Sequence, residues 1–138
     1  MIVILGLHDL LESGEGVGGQ RRQHPARADQ LFTRAAREAW RLVATNAVIF
    51  ETHALLLARA RPPEVALKFL DSVEAGVCDV VRLLKTDEEQ AIALIRSHRD
   101  KTYSLCDASS FAVMERLGIS EAIAFDQDFQ SYGHFVIL

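Results

Sequence analysis

Residues 105–117 read Leu-Cys-Asp-Ala-Ser-Ser-Phe-Ala-Val-Met-Glu-Arg-Leu and run into Gly118. Leu105, Ala108, Phe111, Ala112, Val113, Met114 and Leu117 predict a helix that is apolar on nearly every side and stopped by the glycine. A helix of that kind has no broad face to offer water, so it belongs under a sheet or between layers. Asp107 lies in the same helical row as Phe111 at i+4 and Met114 at i+7, where a carboxylate is costly unless a cation meets it. The run Ala122-Ile123-Ala124-Phe125 that follows predicts a short buried strand, with Asp126 at its C-terminal end and Asp128 two residues on. One helix–strand unit thus brings Asp107, Asp126 and Asp128 together, an arrangement that suits a divalent metal. The competing reading is structural: Ser104-x-x-Asp107 matches a helix-capping pattern, with Asp107 favoured by the helix dipole.

The rest of the chain alternates strands and helices. Ile2–Leu5 predicts a first buried strand, with His8 and Asp9 just beyond it. Gly14-x-Gly16-x-x-Gly19 fits a dinucleotide-binding pattern by letter, but it does not abut the strand, and no acid ends a second strand about twenty residues on. The stretch 12–23 is therefore expected to be a glycine-rich loop. A helix opening near Pro25 carries Leu31, Phe32, Ala35 and Trp40 at helical spacing. Leu42-Val43-Ala44 is a second strand, and Thr45 is placed to cap a helix running to about Ala60. On that helix Glu51 stands among Ala47, Ala54, Leu55 and Ala58, so it too projects from an apolar row and needs a partner: an arginine of a buried ion pair, or a metal. Pro62-Pro63 breaks the chain before a helix over 64–74. Val77–Leu84 predicts a strand, Thr86-x-x-Glu89 a capping box for the next helix, and Phe135-Val136-Ile137 a closing strand. Arg96, His98, Arg99 and Lys101 form a basic patch just before Ser104. Such a patch is either a solvated face or a phosphate-backbone contact, and Arg99 and Lys101 are the candidates for that contact.

Alternation of this sort predicts an α/β layered fold, a largely parallel sheet flanked by helices, built as a single domain over 1–138. Ligands in such sheets gather at the carboxyl ends of the strands, which is where Asp9, Glu51, Asp107 and Asp126 would converge. The hydrophobic fraction of 49% is that of a globular chain, and no apolar run is long enough for a membrane span or a signal peptide. The cytoplasm is the expected compartment, and Cys78 and Cys106 show neither metal spacing nor a disulfide framework. A net charge of −4 argues against a simple nucleic-acid binder, unless several of the acids hold cations.

Three pieces of this chain resemble a known family. Ala44-Thr45-Asn46 leads to Glu51-Thr52. Asp100-Lys101-Thr102-Tyr103-Ser104-Leu105-Cys106-Asp107 runs into Ser110-Phe111-Ala112-Val113-Met114, and Ala124-Phe125-Asp126-Gln127-Asp128-Phe129 follows. From about His24 onward the chain is similar to PIN domains, and specifically to VapC-type toxins of toxin–antitoxin pairs. The resemblance implies a PIN-like three-layer fold and an Mg²⁺- or Mn²⁺-dependent endoribonuclease. It also implies RNA as substrate, frequent homodimers and inhibition by a cognate antitoxin. It places the catalytic acids at Glu51, Asp107 and Asp126, with Asp128 as an auxiliary metal ligand. The family's first acid directly ends strand one and precedes Thr or Ser; here Gly6-Leu7-His8-Asp9-Leu10 follows the strand, so Asp9 is the nearest acid that could complete the metal set. Two other classes stay open: a degenerate PIN domain acting as a partner- or RNA-binding module, and a phosphoacceptor receiver domain. The receiver would need paired acids after strand one and a late lysine, and neither is present.

Overall fold

A computed structural model of the chain describes residues 1–5, 25–59, 62–123 and 127–138. Asp9, the glycine-rich stretch 12–23 and Asp126 lie outside the described residues; at Asp128 the backbone is described and the side chain is not.

Five strands form one sheet: β1 (Ile2–Leu5), β2 (Arg41–Thr45), β3 (Asp79–Val81), β4 (Glu121–Ile123) and β5 (Val136–Ile137). Every pairing is parallel, in the order β3-β2-β1-β4-β5. The helices are α1 (Pro25–Arg37), α2 (Asn46–Ala58), α3 (Pro63–Glu74), α4 (Lys85–Ser97), α5 (Leu105–Leu117) and α6 (Gln127–Tyr132). Because successive strand residues point to opposite faces, each central strand serves two cores. Val3, Ala44 and Ile123 face Ala35, Val48 and Ile49 of α1 and α2. Ile4, Val43 and Ala122 face Phe111 and Met114 of α5. Burial on both faces is why these strands read as unbroken apolar runs, and the result is the expected three-layer α/β fold.

Several boundaries differ from the sequence reading. The strand expected over 77–84 is only Asp79–Val81, because β2 offers it just Val43, Ala44 and Thr45 before turning into α2, and because the Val77 N–H is already given to the Ser72 carbonyl at the end of α3. The last strand likewise begins at Val136 rather than Phe135. The capping box expected at Thr86 does not form. Helix α4 starts at Lys85, and the Asp87 carboxylate accepts the Leu84 N–H at 2.8 Å. Asp87 is almost fully buried, and Arg116 of α5 grips it with two hydrogen bonds of 2.7 and 2.9 Å. Those bonds, and then the Leu84 amide, hold the Asp87 carboxyl below its ordinary range against the opposing effect of burial. Leu105 and Leu117, counted with the buried positions of the 105–117 helix, are exposed at its two ends, while Cys106 and Ala108–Met114 are buried. Gly118 ends that helix in the left-handed conformation, φ 65°, which costs a residue without a Cβ little.

Candidate active site

Strand β1 is central, with β2 and then β3 on one side and β4 and then β5 on the other. Strand order therefore reverses at β1, and the crevice beyond its carboxyl end, between β2 and β4, is where an open parallel sheet takes its ligand. The acids singled out in the sequence follow these strands: Asp9 after β1, Glu51 on the helix after β2, Asp126 after β4.

Among the described residues, Glu51 and Asp107 both lie within electrostatic reach of one buried thiol, that of Cys106. Thr45, fully buried at the end of β2, accepts the Val48 N–H at 3.2 Å and so starts α2, as its position in the sequence suggested. Thr52 donates its hydroxyl to the Val48 carbonyl at 2.6 Å, which satisfies a buried polar group within the same turn. Glu51 is thereby carried half-buried on α2. Asn46, the first residue of α2, accepts the Leu83 N–H at 3.0 Å and ties the β2–α2 turn to the segment leaving β3. Across the crevice, Ser104 caps α5. Its hydroxyl oxygen accepts the Asp107 N–H at 3.0 Å, and its hydroxyl donates to the Asp107 carboxylate at 2.8 Å. The capping reading of Ser104 and Asp107 is correct, and it does not compete with a metal role: Asp107 stays half-buried, with Ser104 fixing how it sits.

Between the two acids lies Cys106. Its thiol is buried, with the Glu51 and Asp107 carboxylates near enough to act on it electrostatically. Burial first, then Glu51 and the Asp107 charge, push the thiol far above its ordinary range. Among the described residues no lysine or arginine pairs with Glu51, so the arginine partner considered for it is not found. Nor, among the described residues, do three His, Cys, Asp or Glu side chains gather closely enough to hold an ion; the further acids proposed from the sequence are Asp9, Asp126 and Asp128. What Glu51 and Asp107 supply is carboxylate oxygen. That donor type fits a hard cation such as Mg²⁺ or Mn²⁺.

Arg99 and Lys101 are exposed in the turn between α4 and α5, and Arg96 is exposed at the end of α4. His98 does not share their role. Its Nδ1 is 3.0 Å from the Leu94 carbonyl, and its ring packs beside Tyr103 at 5.9 Å. Cys106 and Asn46 went unnoticed as site residues in the sequence. The signal was there for both, since each adjoins a motif residue, but a cysteine without metal spacing and an asparagine beside a cap have ordinary explanations.

A five-stranded parallel sheet with carboxylates on the segments around its switch point defines the class. Residues 20–134 match the family model of the PIN domain, and the chain belongs to that family. Within it, the chain is similar over its full length to the crystal structure of VapC20 from Mycobacterium tuberculosis, a Sarcin-Ricin loop cleaving toxin. The TM-score is 0.84 at 28% identity, covering 100% of this chain and 98% of the other. The 23S rRNA-specific endonuclease VapC20 of strains CDC 1551 / Oshkosh and H37Rv is 50% identical over 46 residues, which is 33% of this chain and about a third (35%) of the curated relative's length. VapBC2 from Rickettsia felis, bound to a DNA fragment from its promoter, shares the fold at a TM-score of 0.67 and 11% identity. A toxin–antitoxin complex from Klebsiella pneumoniae does so at 0.62 and 16%, covering 97% of this chain and 95% of the other. Among the described residues no helix is long and apolar enough to cross a membrane.

Proposed function

We propose that this chain is a metal-dependent endoribonuclease that hydrolyses RNA phosphodiester bonds as the toxin of a toxin–antitoxin pair. The observation that carries the reading is that Glu51 on α2 and Asp107 on α5 both stand half-buried around the buried Cys106, on the segments beside the sheet's switch point, with no described lysine or arginine answering Glu51. Two nearby carboxylates repel one another unless positive charge is added. A bound Mg²⁺ or Mn²⁺ supplies that charge, activates water and offsets the negative charge that builds at phosphorus. Glu51 and Asp107 would hold the ion, with Asp9, Asp126 and Asp128 completing its carboxylate set. Ser104 keeps Asp107 in one orientation, which lowers the ordering cost of binding. Arg99 and Lys101, exposed on the turn leading to α5, would meet the RNA backbone electrostatically.

The full-length likeness to a Sarcin-Ricin loop cleaving toxin supports 23S rRNA as the substrate. The similarity to VapBC and toxin–antitoxin assemblies supports a cognate antitoxin as partner. The direct test is primer extension on ribosomes or naked 23S rRNA treated with the purified protein, with and without Mn²⁺. A single metal-dependent cut that Asp107→Asn abolishes is the expected result. A wild-type protein that leaves 23S rRNA and other RNAs intact while still binding them would make the chain a non-catalytic binding module.

A further inference from the structure

Helix α6 has six residues and carries Asp128, and its first residue directly follows Asp126 in the chain. A helix so short does not hold itself together in water, because isolated helices need roughly 12–15 residues to be even marginally stable. Its shape must therefore come from what it is fastened to. The fastening is visible at its C-terminal end. Tyr132 is buried, its ring stacked on Phe111 of α5 at 4.4 Å between centroids with the planes 2° apart. Its hydroxyl donates to Glu115 Oε1 at 2.6 Å. The other oxygen of Glu115 accepts from Gln90 Nε2 of α4, also at 2.6 Å, and His134 Nδ1, just beyond α6, lies 3.5 Å from Oε1. One residue earlier, Ser131 is hydrogen-bonded to the Tyr103 hydroxyl at 3.3 Å. A single carboxylate on α5 thus ties α4, α5 and α6 together. Burial and the Glu115 charge push the Tyr132 phenol well above its ordinary range, so the donor keeps its proton.

We propose that Glu115, through the Tyr132 hydroxyl, is a positioning residue of the active site: it sets α6, the helix on which Asp128 falls, against α5 and so fixes that helix in place. This rests on the metal-site reading above. Glu115 touches neither metal nor RNA; it acts by removing freedom from a segment that would otherwise lose ordering entropy each time it bound the ion.

The test uses Tyr132→Phe, which keeps the stacked ring and removes only the donor, with Glu115→Ala and the conservative Glu115→Gln. Two quantities are read on each: amide hydrogen exchange over residues 127–132 without metal, and Mn²⁺ affinity from free-Mn²⁺ electron paramagnetic resonance. The expected result is faster exchange confined to α6 and Mn²⁺ binding weakened about tenfold in Tyr132→Phe and Glu115→Ala, the scale for losing the group that orients a ligand. Glu115→Gln, which still accepts from Tyr132, should recover most of both. Unchanged exchange over α6 overturns the clamp, whether or not metal binds. Faster exchange with wild-type Mn²⁺ affinity overturns its role in positioning. If the wild type itself binds no Mn²⁺, the metal-site reading fails and the positioning role falls with it, and the exchange data show separately whether the clamp exists.

Discussion

Two helix-borne carboxylates meet opposite fates in this fold. Asp87, at the start of α4, is buried and answered within the chain: Arg116 binds both of its oxygens, and the Leu84 amide adds a third hydrogen bond. Glu51, half-buried on α2 at the carboxyl edge of the sheet, meets no lysine or arginine among the described residues. The first arrangement is complete and holds two helices in place. The second leaves a carboxylate open to the cation proposed above. Acids drawn out of water thus divide according to whether the fold supplies the counter-charge.

The comparison can be broken most decisively by exchanging which property is lost. Glu51→Gln should lower RNA cleavage by roughly 10²–10³-fold, the scale for removing one preorganised electrostatic group, while its thermal midpoint without metal holds or rises because a carboxylate next to Asp107 has gone. Asp87→Ala should do the reverse. It loses the helix-start hydrogen bond and the Arg116 pair, destabilising the protein by about 2–4 kcal/mol in urea unfolding, with cleavage per folded molecule retained. If both variants lose activity without losing stability, the division between the two acids is wrong.

Metal sharpens the contrast. Mn²⁺ at ~100 times its dissociation constant should stabilise the wild type by about 2.7 kcal/mol, and calorimetric scans should show that gain in Asp87→Asn but not in Glu51→Gln. A smaller effect follows from pH. The Asp87 carboxyl is depressed by its Arg116 bonds, so its contribution is present above the unfolded carboxylate value, about 3.9, and is lost as pH falls through the lower folded value. Urea midpoints between pH 6 and 3 should therefore fall less steeply in Asp87→Asn than in the wild type. The smallest effect lies at the alkaline end. The Tyr132 phenol is raised in the folded state, so its contribution is complete below about pH 10 and declines above it, as the unfolded chain gives up its proton first. Tyr132→Phe should flatten that decline.

The amino-acid sequence by itself determined the layers. Strands buried on both faces cannot alternate polar and apolar residues, so the apolar runs Ile2–Leu5 and Leu42–Ala44 announce a sheet covered on each side, and the apolar helix at 105–117 announces what covers it. It also determined which acids were out of place, because a carboxylate in an apolar row is visible from spacing alone. Only the tertiary structure decided what each acid meets. Nothing local links Asp87 to Arg116, or Glu115 to Tyr132, since each pair is made by helices packing against one another across many intervening residues. Nor could spacing show that Cys106 would sit by Glu51 rather than simply fill the core. Strand limits also belonged to the tertiary level: β3 pairs only with Val43–Thr45, because β2 turns into α2 after Thr45 and the Val77 N–H is given to Ser72. Propensity acts along the chain and can be read there, whereas the counter-charge of a buried acid and the length of a strand are settled by a partner that only folding brings near.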